Sequence, residues 1–485
     1  MSDSLLRASG GRRTADGGVW CRRGLATARR IPHLRRDDRN GARRMTSTID
    51  FAPDEQRDRG LVRGVGLAAF TAAIVNGVVG AGVFTLPAVM ALNLGPRAPL
   101  AFLVCAVAMG AVVWCTADAI RRVPTSGGIY GTVEAAFGGR AGFVTGFVGI
   151  WLSSVLSCGG IAAAFADATG AAIPALAGGV ARAGVIVVVI GGLMLVNLRG
   201  VGFAARFITV ATLAKLVPLA LFIGVGVWFI DPAKLGAGAA AVGGDGIGGG
   251  FGRAVIFALF AFSGMETPLG ASGEVSDPRR TLPRAIFLSM GFVLFLYVAV
   301  QVVSQGLLGA DLAASATPLS SAIATVSPGL GLVLAGGAAA SRLIWIGSDL
   351  LGAPRLLFAF ARDRLLPSFL GALDAKTHVP RTAIVVHSIL VVILAISGTF
   401  EALAILSGLA STFLYSMACA AAWRLDARGV GGSAGRRGVI AGAAVVGVLA
   451  MVAIAVQAKP VELFGLAASV AIALGIYAGR RVFAA

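Results

Sequence analysis

Long apolar runs, separated by short polar stretches, recur along the chain from residue 67 onwards. A run of about 20 apolar residues is long enough for one α-helix to cross the hydrocarbon core of a membrane. The pattern therefore predicts about twelve membrane-spanning helices. The predicted spans are Leu67–Leu92, Leu100–Ile120, Ala141–Ala168, Gly184–Leu198, Phe207–Ile230, Arg253–Ala271, Ala285–Leu307, Gly331–Ala361, Thr382–Ser397, Glu401–Trp423, Val439–Val456 and Val461–Ala478.

The composition indicates that lipid is the surrounding solvent. Hydrophobic residues make up 57% of the 485 residues, charged residues make up 13%, and the mean hydropathy is +0.86. A soluble globular domain carries about 25% charged residues, which excludes that class. The chain also has 68 glycines, and small residues let membrane helices pack closely. We therefore expect an all-α polytopic membrane protein.

The positive charge is concentrated in the N-terminal segment and in every second loop. The net charge is +18, but its confinement to these places does not indicate a nucleic-acid partner. One set of loops holds Arg121, Arg122, Arg199, Arg206, Arg279, Arg280, Arg284, Arg362, Arg364, Lys376, Arg381, Arg424, Arg428, Arg436, Arg437, Arg480 and Arg481. The alternating loops hold Arg97, Arg182, Lys234, Arg253 and Lys459. The positive-inside rule then places both termini in the cytoplasm. We expect a multi-pass protein of a bacterial plasma membrane.

Residues 1–63 differ from the rest of the chain. They are rich in arginine pairs such as Arg12-Arg13 and Arg43-Arg44, and they lack an apolar core of signal-peptide length. We expect a basic, disordered cytoplasmic segment, followed by a transmembrane domain at 64–482. An arm that binds anionic lipid is an alternative. Another alternative is that translation begins at Met45, so that residues 1–44 are not part of the native protein.

Two of the predicted spans are interrupted by helix-breaking residues. The first interruption is "NGVVGAGVFTLP", Asn76 to Pro87, and the second is "FAFSGMETPLGASGEV", Phe260 to Val275. They fall at matching positions if residues 67–230 and 253–423 are two repeats, followed by two extra helices at 439–479. Matched interruptions are typical of inverted-repeat transporters, whose substrate lies at the broken helices. Freed N–H groups can bind a carboxylate and freed carbonyls an ammonium, so the pattern indicates an amino acid ligand. Close packing through glycine is the alternative.

Four motifs resemble those of the amino acid–polyamine–organocation (APC) superfamily. "GVVGAGVFTLPA" is similar to its first helix, and "FALFAFSGMETPLGASGEVSDPRRTLPRAI" to its sixth helix and the loop that follows. "PTSGGIYGTVEAAFG" and "ARDRLLP" resemble the loop after its second helix and the end of its eighth. The resemblance extends from about residue 67 to the C-terminus. It implies a five-plus-five inverted repeat with broken first and sixth helices.

The resemblance also implies a substrate-binding set. The main chain at Gly80, Ala81 and Gly82 would receive the substrate carboxylate. Carbonyl groups around Phe260 and Ser263 would receive the amino group, and Phe260 would stand over the substrate as an aromatic gate. Packing in the helix bundle is the alternative role for Phe260. The predicted substrate-binding set is completed by Phe262 and Gly264.

Two ionisable residues at membrane depth are candidates for coupling. Lys215 lies inside the fifth span, where burial disfavours the charged form of an amine, which suits a proton carrier. It resembles a fifth-helix lysine of proton-coupled members of the superfamily; a lysine that reaches the interface is the alternative. Glu266 follows the second interruption. It could accept protons or hold the loosened backbone by hydrogen bonds.

Arg342 and Asp349 both lie in the eighth span, two helical turns apart. We expect them to form a structural charge pair, which could include Glu266. Arg342 departs from the family pattern of small or hydroxyl residues, and its charge disfavours a sodium site near Ser341. Proton coupling or uncoupled exchange is therefore favoured over sodium coupling.

The sequence offers little support for other chemistry. It has no Walker motif and no H-E-x-x-H, so we expect no enzyme activity, cofactor or metal. "GDGIGG", Gly244 to Gly249, is interpreted as a flexible linker, and the cysteines as packing residues. We expect a proton-coupled secondary transporter of an amino acid, with a neutral substrate favoured because Glu266 is the one acid predicted near the pocket. An amino acid or polyamine exchanger or exporter, or a membrane sensor without transport, are alternatives. The sequence does not indicate an oligomeric state.

Overall fold

The structure is a computed structural model that describes residues 65–124, 127–199, 215–237, 246–270, 272, 275–374, 379–431 and 437–480. The basic segment 1–63 and residues 207–214 of the predicted fifth span lie outside these ranges. The helices are α1 Leu67–Val78, α2 Leu86–Leu94, α3 Ala98–Arg122, α4 Gly128–Phe137, α5 Gly139–Ala172, α6 Gly179–Leu198, α7 Lys215–Phe229, α8 Gly246–Phe262, α9 Glu266–Leu269, α10 Pro278–Leu308, α11 Pro318–Ala324, α12 Pro328–Gly352, α13 Pro354–Arg362, α14 Arg381–Ser397, α15 Phe400–Ala427, α16 Arg437–Ala455 and α17 Pro460–Gly479.

The described residues confirm the all-α polytopic architecture. Eight helical stretches among them are long and apolar enough to cross a membrane, and three shorter apolar helices, α1, α7 and α14, accompany them. Large apolar side chains such as Val180 and Trp228 are more than four-fifths exposed. Such side chains are expected on helices whose outer faces contact lipid rather than water.

Two boundaries differ from the prediction. Helix α8 begins at Gly246, so residues 246–249 of the predicted glycine linker are helical; Gly244 and Asp245 lie outside the described residues. The predicted span Gly331–Ala361 is divided into α12 and α13, which meet at Ala353. Pro354 explains this division, because proline lacks an N–H and favours the first turn of a new helix.

Both predicted interruptions are confirmed. Helix α1 ends at Val78, and a 3₁₀ turn, Ala81–Phe84, separates it from α2. Helix α8 ends at Phe262, and α9 begins at Glu266 after a short non-helical connection. Within that connection Gly264 has a φ of 117°, a conformation that side chains other than glycine rarely adopt.

The two interruptions touch each other through their main chains. A Cβ atom on Gly264 would lie 2.5 Å from the carbonyl oxygen of Gly77, and a Cβ on Gly77 would lie 2.6 Å from the carbonyl oxygen of Gly264. Both positions therefore need glycine for this approach. Helix α10 packs against α1 and α3, and α15 packs against α5, so the interruptions lie inside the bundle. The core around them contains four unpaired, buried cysteines: Cys105, Cys115, Cys158 and Cys419.

Candidate functional site

A cavity of about 260 Å³ lies where the two interruptions meet helices α5 and α12. Its walls are partly polar main chain and partly small hydroxyl side chains, with a few aromatic groups. The first interruption contributes Asn76, Gly77, Val78, Gly80 and Gly82, and the second contributes Phe260, Ala261, Ser263, Gly264 and Glu266. Helices α5, α10 and α12 contribute Ser153, Ser154, Ser157, Tyr297, Trp345, Ser348 and Asp349.

Most of the predicted substrate-binding residues meet at this cavity. Five of them line it: Gly80, Gly82, Phe260, Ser263 and Gly264. Ala81 lies in the 3₁₀ turn between two of these glycines. The first N–H groups of a helical turn have no partner inside the turn, so this segment can present donors to an anion.

Phe262, another member of the predicted substrate-binding set, does not line the cavity. Its side chain is 1% exposed, and its ring packs against Phe102 and Tyr297, with centroid distances of 6.5 Å and 5.7 Å. Two residues along a helix correspond to a rotation of about 200°. If Phe260 faces the cavity, Phe262 must therefore face away from it, into the core.

Lys215 lies at the first interruption. Its ammonium nitrogen is 2.7 Å from the carbonyl oxygen of Asn76 and 2.6 Å from that of Val79, and it donates a hydrogen bond to each. The residue is 1% exposed, so its side chain does not extend to the membrane interface. The ammonium thus replaces, for these two carbonyls, the hydrogen bonds that an unbroken helix would supply.

Two aromatic residues meet other main-chain oxygens of the interruptions. The hydroxyl oxygen of Tyr297 is 2.9 Å from the carbonyl oxygen of Val78 and 3.0 Å from that of Ala261, and its single hydrogen can go to either. The indole nitrogen of Trp345 donates to the carbonyl oxygen of Gly77 at 3.4 Å. Tyr297 therefore joins the ends of the two half-helices.

Glu266 holds the second interruption. Its carboxylate accepts a hydrogen bond from the Gly264 N–H, at 3.0 Å for the nearer oxygen, and another from the Tyr415 hydroxyl at 3.1 Å. This arrangement matches the second of the two roles considered for Glu266, that of fixing the loosened backbone. Because Glu266 also lines the cavity, its negative charge contributes to the field that a ligand meets.

We expect the change Tyr415→Phe to loosen the second interruption. It removes the hydroxyl donor and leaves a buried carboxylate oxygen with one partner fewer, at a cost of about 1–3 kcal/mol. The apparent melting temperature of the purified protein should fall, and ligand affinity should fall with it. Tyr477→Phe is the matched control, since Tyr477 lies on α17 outside the cavity. Equal stability and affinity in the two variants would contradict this role of the Tyr415 hydroxyl.

The predicted charge pair between Arg342 and Asp349 is wrong. Arg342 donates to the Thr85 hydroxyl at 2.9 Å, whereas Asp349 contacts the Ser154 hydroxyl and His387 Nε2. Seven residues of helix separate the two Cα atoms by about 10 Å along the axis. Each side chain therefore finds its partner on another segment of the bundle, Arg342 at the first interruption and Asp349 on α5 and α14.

Several cavity residues were missed by sequence reasoning. They are Ser153, Ser154, Ser157, Tyr297, Trp345, Ser348 and, as a cavity acid, Asp349. The serines could have been found, because polar side chains that recur on one face of an apolar span point to a polar interior. Residues Thr145–Leu152, just before them in α5, form a π-helical segment, which frequently marks a functional site.

The fold and the cavity together define a class of protein. A membrane-embedded helical bundle with two interrupted spans around a small, partly polar cavity is the architecture of a secondary transporter. A family model for amino acid permeases matches residues 65–473. The chain belongs to the amino acid permease family, within the APC superfamily that its motifs resemble. This membership supports amino acid transport by a multi-pass membrane protein.

Relatives in three organisms are named as transporters or exchangers. An uncharacterized transporter of Mycobacterium tuberculosis is 32% identical over 77% of this chain and 81% of the relative. The vacuolar cationic amino acid transporter 2 of Arabidopsis thaliana is 28% identical over 70% of this chain and 55% of the relative. The serine/threonine exchanger SteT of Bacillus subtilis is 26% identical over 64% of this chain and 70% of the relative.

Proposed function

We propose that the protein is a secondary active transporter, which moves an amino acid across the bacterial plasma membrane by alternating access, with both termini in the cytoplasm. The observation that carries this proposal is the meeting of the two interruptions at one cavity. The N–H groups of the turn Ala81–Phe84 would bind the α-carboxylate. Main-chain carbonyls near Phe260 and Ser263 would accept hydrogen bonds from the α-ammonium, since each carbonyl oxygen has two lone pairs.

Lys215 would couple transport to protons. As an ammonium it donates to the carbonyl groups of Asn76 and Val79, which stabilises the interruption in its present shape. Loss of the proton would remove the charge and weaken both hydrogen bonds, and the half-helix would then be free to rearrange. Protonation and the shape of the substrate cradle are thereby linked, which is what coupling requires.

The expectation of a neutral substrate no longer follows. It depended on Glu266 as the single acid near the pocket, and Asp349 adds a second carboxylate to the cavity wall. The proposed function therefore covers amino acids without regard to the charge of the side chain.

Exchange is a second candidate mode, because one relative is named as an exchanger. The two modes can be separated with purified protein in liposomes, once a thermal-shift screen of the common amino acids has identified a ligand. A proton-coupled transporter will take up the labelled ligand into empty vesicles when a pH gradient is applied. An exchanger will take it up only when the vesicles contain unlabelled amino acid. Binding without either flux would contradict the proposed function.

We expect the change Gly82→Leu to abolish binding and uptake without unfolding the protein. A Cβ on Gly82 would lie 3.3 Å from the Leu86 side chain and 3.4 Å from the Phe260 ring. A methyl group therefore fits tightly, and the larger leucine side chain would extend into the cavity. Uptake in liposomes should fall by more than about tenfold, since even about 1.4 kcal/mol of lost binding has this effect.

Gly110→Leu is the matched control for this prediction. Gly110 lies on α3, is exposed on the outer face, and has no atom within 4 Å of an added Cβ. The Gly110→Leu variant should take up the labelled amino acid as the wild type does. Unchanged uptake in Gly82→Leu would show that the substrate does not occupy this part of the cavity.

A further inference from the structure

A buried carboxylate lies on the cavity wall, on a helix other than the two interrupted ones. Asp349 belongs to α12, lines the cavity, and has a side chain that is 7% exposed. One of its oxygens accepts a hydrogen bond from the Ser154 hydroxyl, and the other lies 3.0 Å from His387 Nε2. These two partners fix the orientation of the carboxylate.

The contacts of His387 match an imidazole that carries one ring hydrogen. A carboxylate can only accept, so Nε2 must carry the hydrogen of this contact. The other ring nitrogen, Nδ1, is buried and has no hydrogen-bond partner in the described part of the chain. A doubly protonated ring would leave a second N–H buried without an acceptor, which is costly. His387 therefore gives Asp349 a hydrogen bond and no positive charge.

The helices packed around His387 supply no cation for Asp349 either. On α5, the Cys158 thiol lies beside Asp349. Arg182 of α6 donates to the carbonyl of Ala395, which lies about 12 Å from His387 along α14. Arg182 also pairs with Asp167 at 2.6 Å. The arginines at the other end are Arg355 and Arg362 on α13 and Arg381 on α14 itself; Arg362 contacts Asp363 and Arg381 contacts Asp374.

The remaining charged groups near the cavity are also directed elsewhere. Arg342, two turns before Asp349 on α12, donates to Thr85. Lys215 donates to the carbonyls of the first interruption, and Glu266 adds a further negative charge. Among the described residues, no fixed cation therefore contacts the Asp349 carboxylate. An unpaired charge at this depth is strongly destabilising, so a cation from outside the chain is expected to meet it.

We propose that Asp349 determines the specificity of the cavity, by binding an amino acid whose side chain carries a positively charged nitrogen. This inference rests on the proposed function. The side-chain cation would donate to the Asp349 carboxylate, and its remaining N–H groups would donate to the hydroxyl oxygens of Ser154 and Ser157, which line the same cavity. The α-carboxylate and α-ammonium would stay at the interruptions.

The proposal predicts that the charge of the substrate side chain matters at Asp349. An uncharged analogue of equal size cannot form the charge-assisted hydrogen bond with the carboxylate, so its binding should depend less on Asp349.

Arginine and citrulline provide the test, because they differ chiefly in the charge of the terminal group. Their dissociation constants for the purified full chain would be measured by thermal shift or calorimetry near neutral pH. We expect arginine to bind at least about tenfold more tightly than citrulline, and Asp349→Asn to bring the ratio of the two dissociation constants close to one. Asp167→Asn is the matched control, since its side chain is half exposed outside the cavity and the ratio should stay as in the wild type.

His387→Gln keeps a hydrogen-bond donor for Asp349. Glutamine can still donate to the Asp349 carboxylate, so the preference for arginine over citrulline should persist in this variant. An unchanged ratio in Asp349→Asn would overturn the proposal. Even if neither variant folds, wild-type protein that binds citrulline as tightly as arginine would overturn it. Wild-type protein that binds no amino acid at all would instead contradict the proposed function.

Discussion

Replacing Gly264 with alanine will abolish ligand binding and transport, and it will lower the thermal stability of the protein. The position has a φ of 117°, and an added Cβ would lie 2.5 Å from the Gly77 carbonyl oxygen. A residue forced into such a conformation costs about 1–3 kcal/mol, before the steric overlap is counted. Because the overlap is with main chain rather than with a flexible side chain, the interruptions must separate to relieve it. The measurement is a melting curve of the purified variant, together with its ligand-induced shift.

Gly291→Ala is the control for this prediction. Gly291 lies within α10, and an added Cβ would have no atom within 4 Å. Alanine is favoured over glycine inside a helix by up to about 1 kcal/mol, so this variant should be as stable as the wild type or slightly more stable. If Gly264→Ala melts at the wild-type temperature and binds normally, the close contact between the interruptions does not exist in the working protein.

Replacing Lys215 with alanine will remove the response of transport to a pH gradient. The change deletes the ammonium that donates to Asn76 and Val79, so neither proton uptake nor release can alter the first interruption through this residue. Uptake against a concentration gradient should fall by more than about tenfold, since two charge-assisted hydrogen bonds of about 1.5–3 kcal/mol each are lost. The measurement is uptake into liposomes at a series of external pH values.

Lys234→Ala is a closely matched control. Lys234 also donates from its ammonium to a main-chain carbonyl, that of Leu307 at 2.8 Å, but it lies outside the cavity. Its uptake should retain the wild-type pH response. Concentrative, pH-dependent uptake by Lys215→Ala would exclude Lys215 as the proton carrier, while leaving amino acid transport itself in place.

The interruptions were predictable because their cause is local. Glycine and proline inside an apolar run break the helix wherever the run is placed, so "NGVVGAGVFTLP" and "FAFSGMETPLG" indicate both sites without knowledge of the packing. Lys215 was predictable as a buried cation for a similar reason, since a lysine in the middle of a span has few alternatives. Its two carbonyl partners were not, because they belong to a helix more than a hundred residues away.

The polar wall of the cavity depended on packing that the sequence does not reveal. Asp349 was paired with Arg342 because both lie on one helix, yet its partners come from α5 and α14. Phe262 was grouped with Phe260 because the two are close in sequence, although it packs against Phe102 and Tyr297. Spacing along one helix orders residues on that helix, but it does not decide which neighbouring helix each face meets.

The four buried cysteines have a practical consequence for spectroscopy. Cys105, Cys115, Cys158 and Cys419 are each 0% exposed, and a thiol must reach water as a thiolate before it reacts with a maleimide dye or a nitroxide reagent. The folded protein should leave all four unlabelled. Replacement of Cys21, which lies outside the described residues, would then leave a protein whose native cysteines do not react with the label. Single reporter thiols introduced into the loops could follow opening and closing as changes in distance, with the native interior intact.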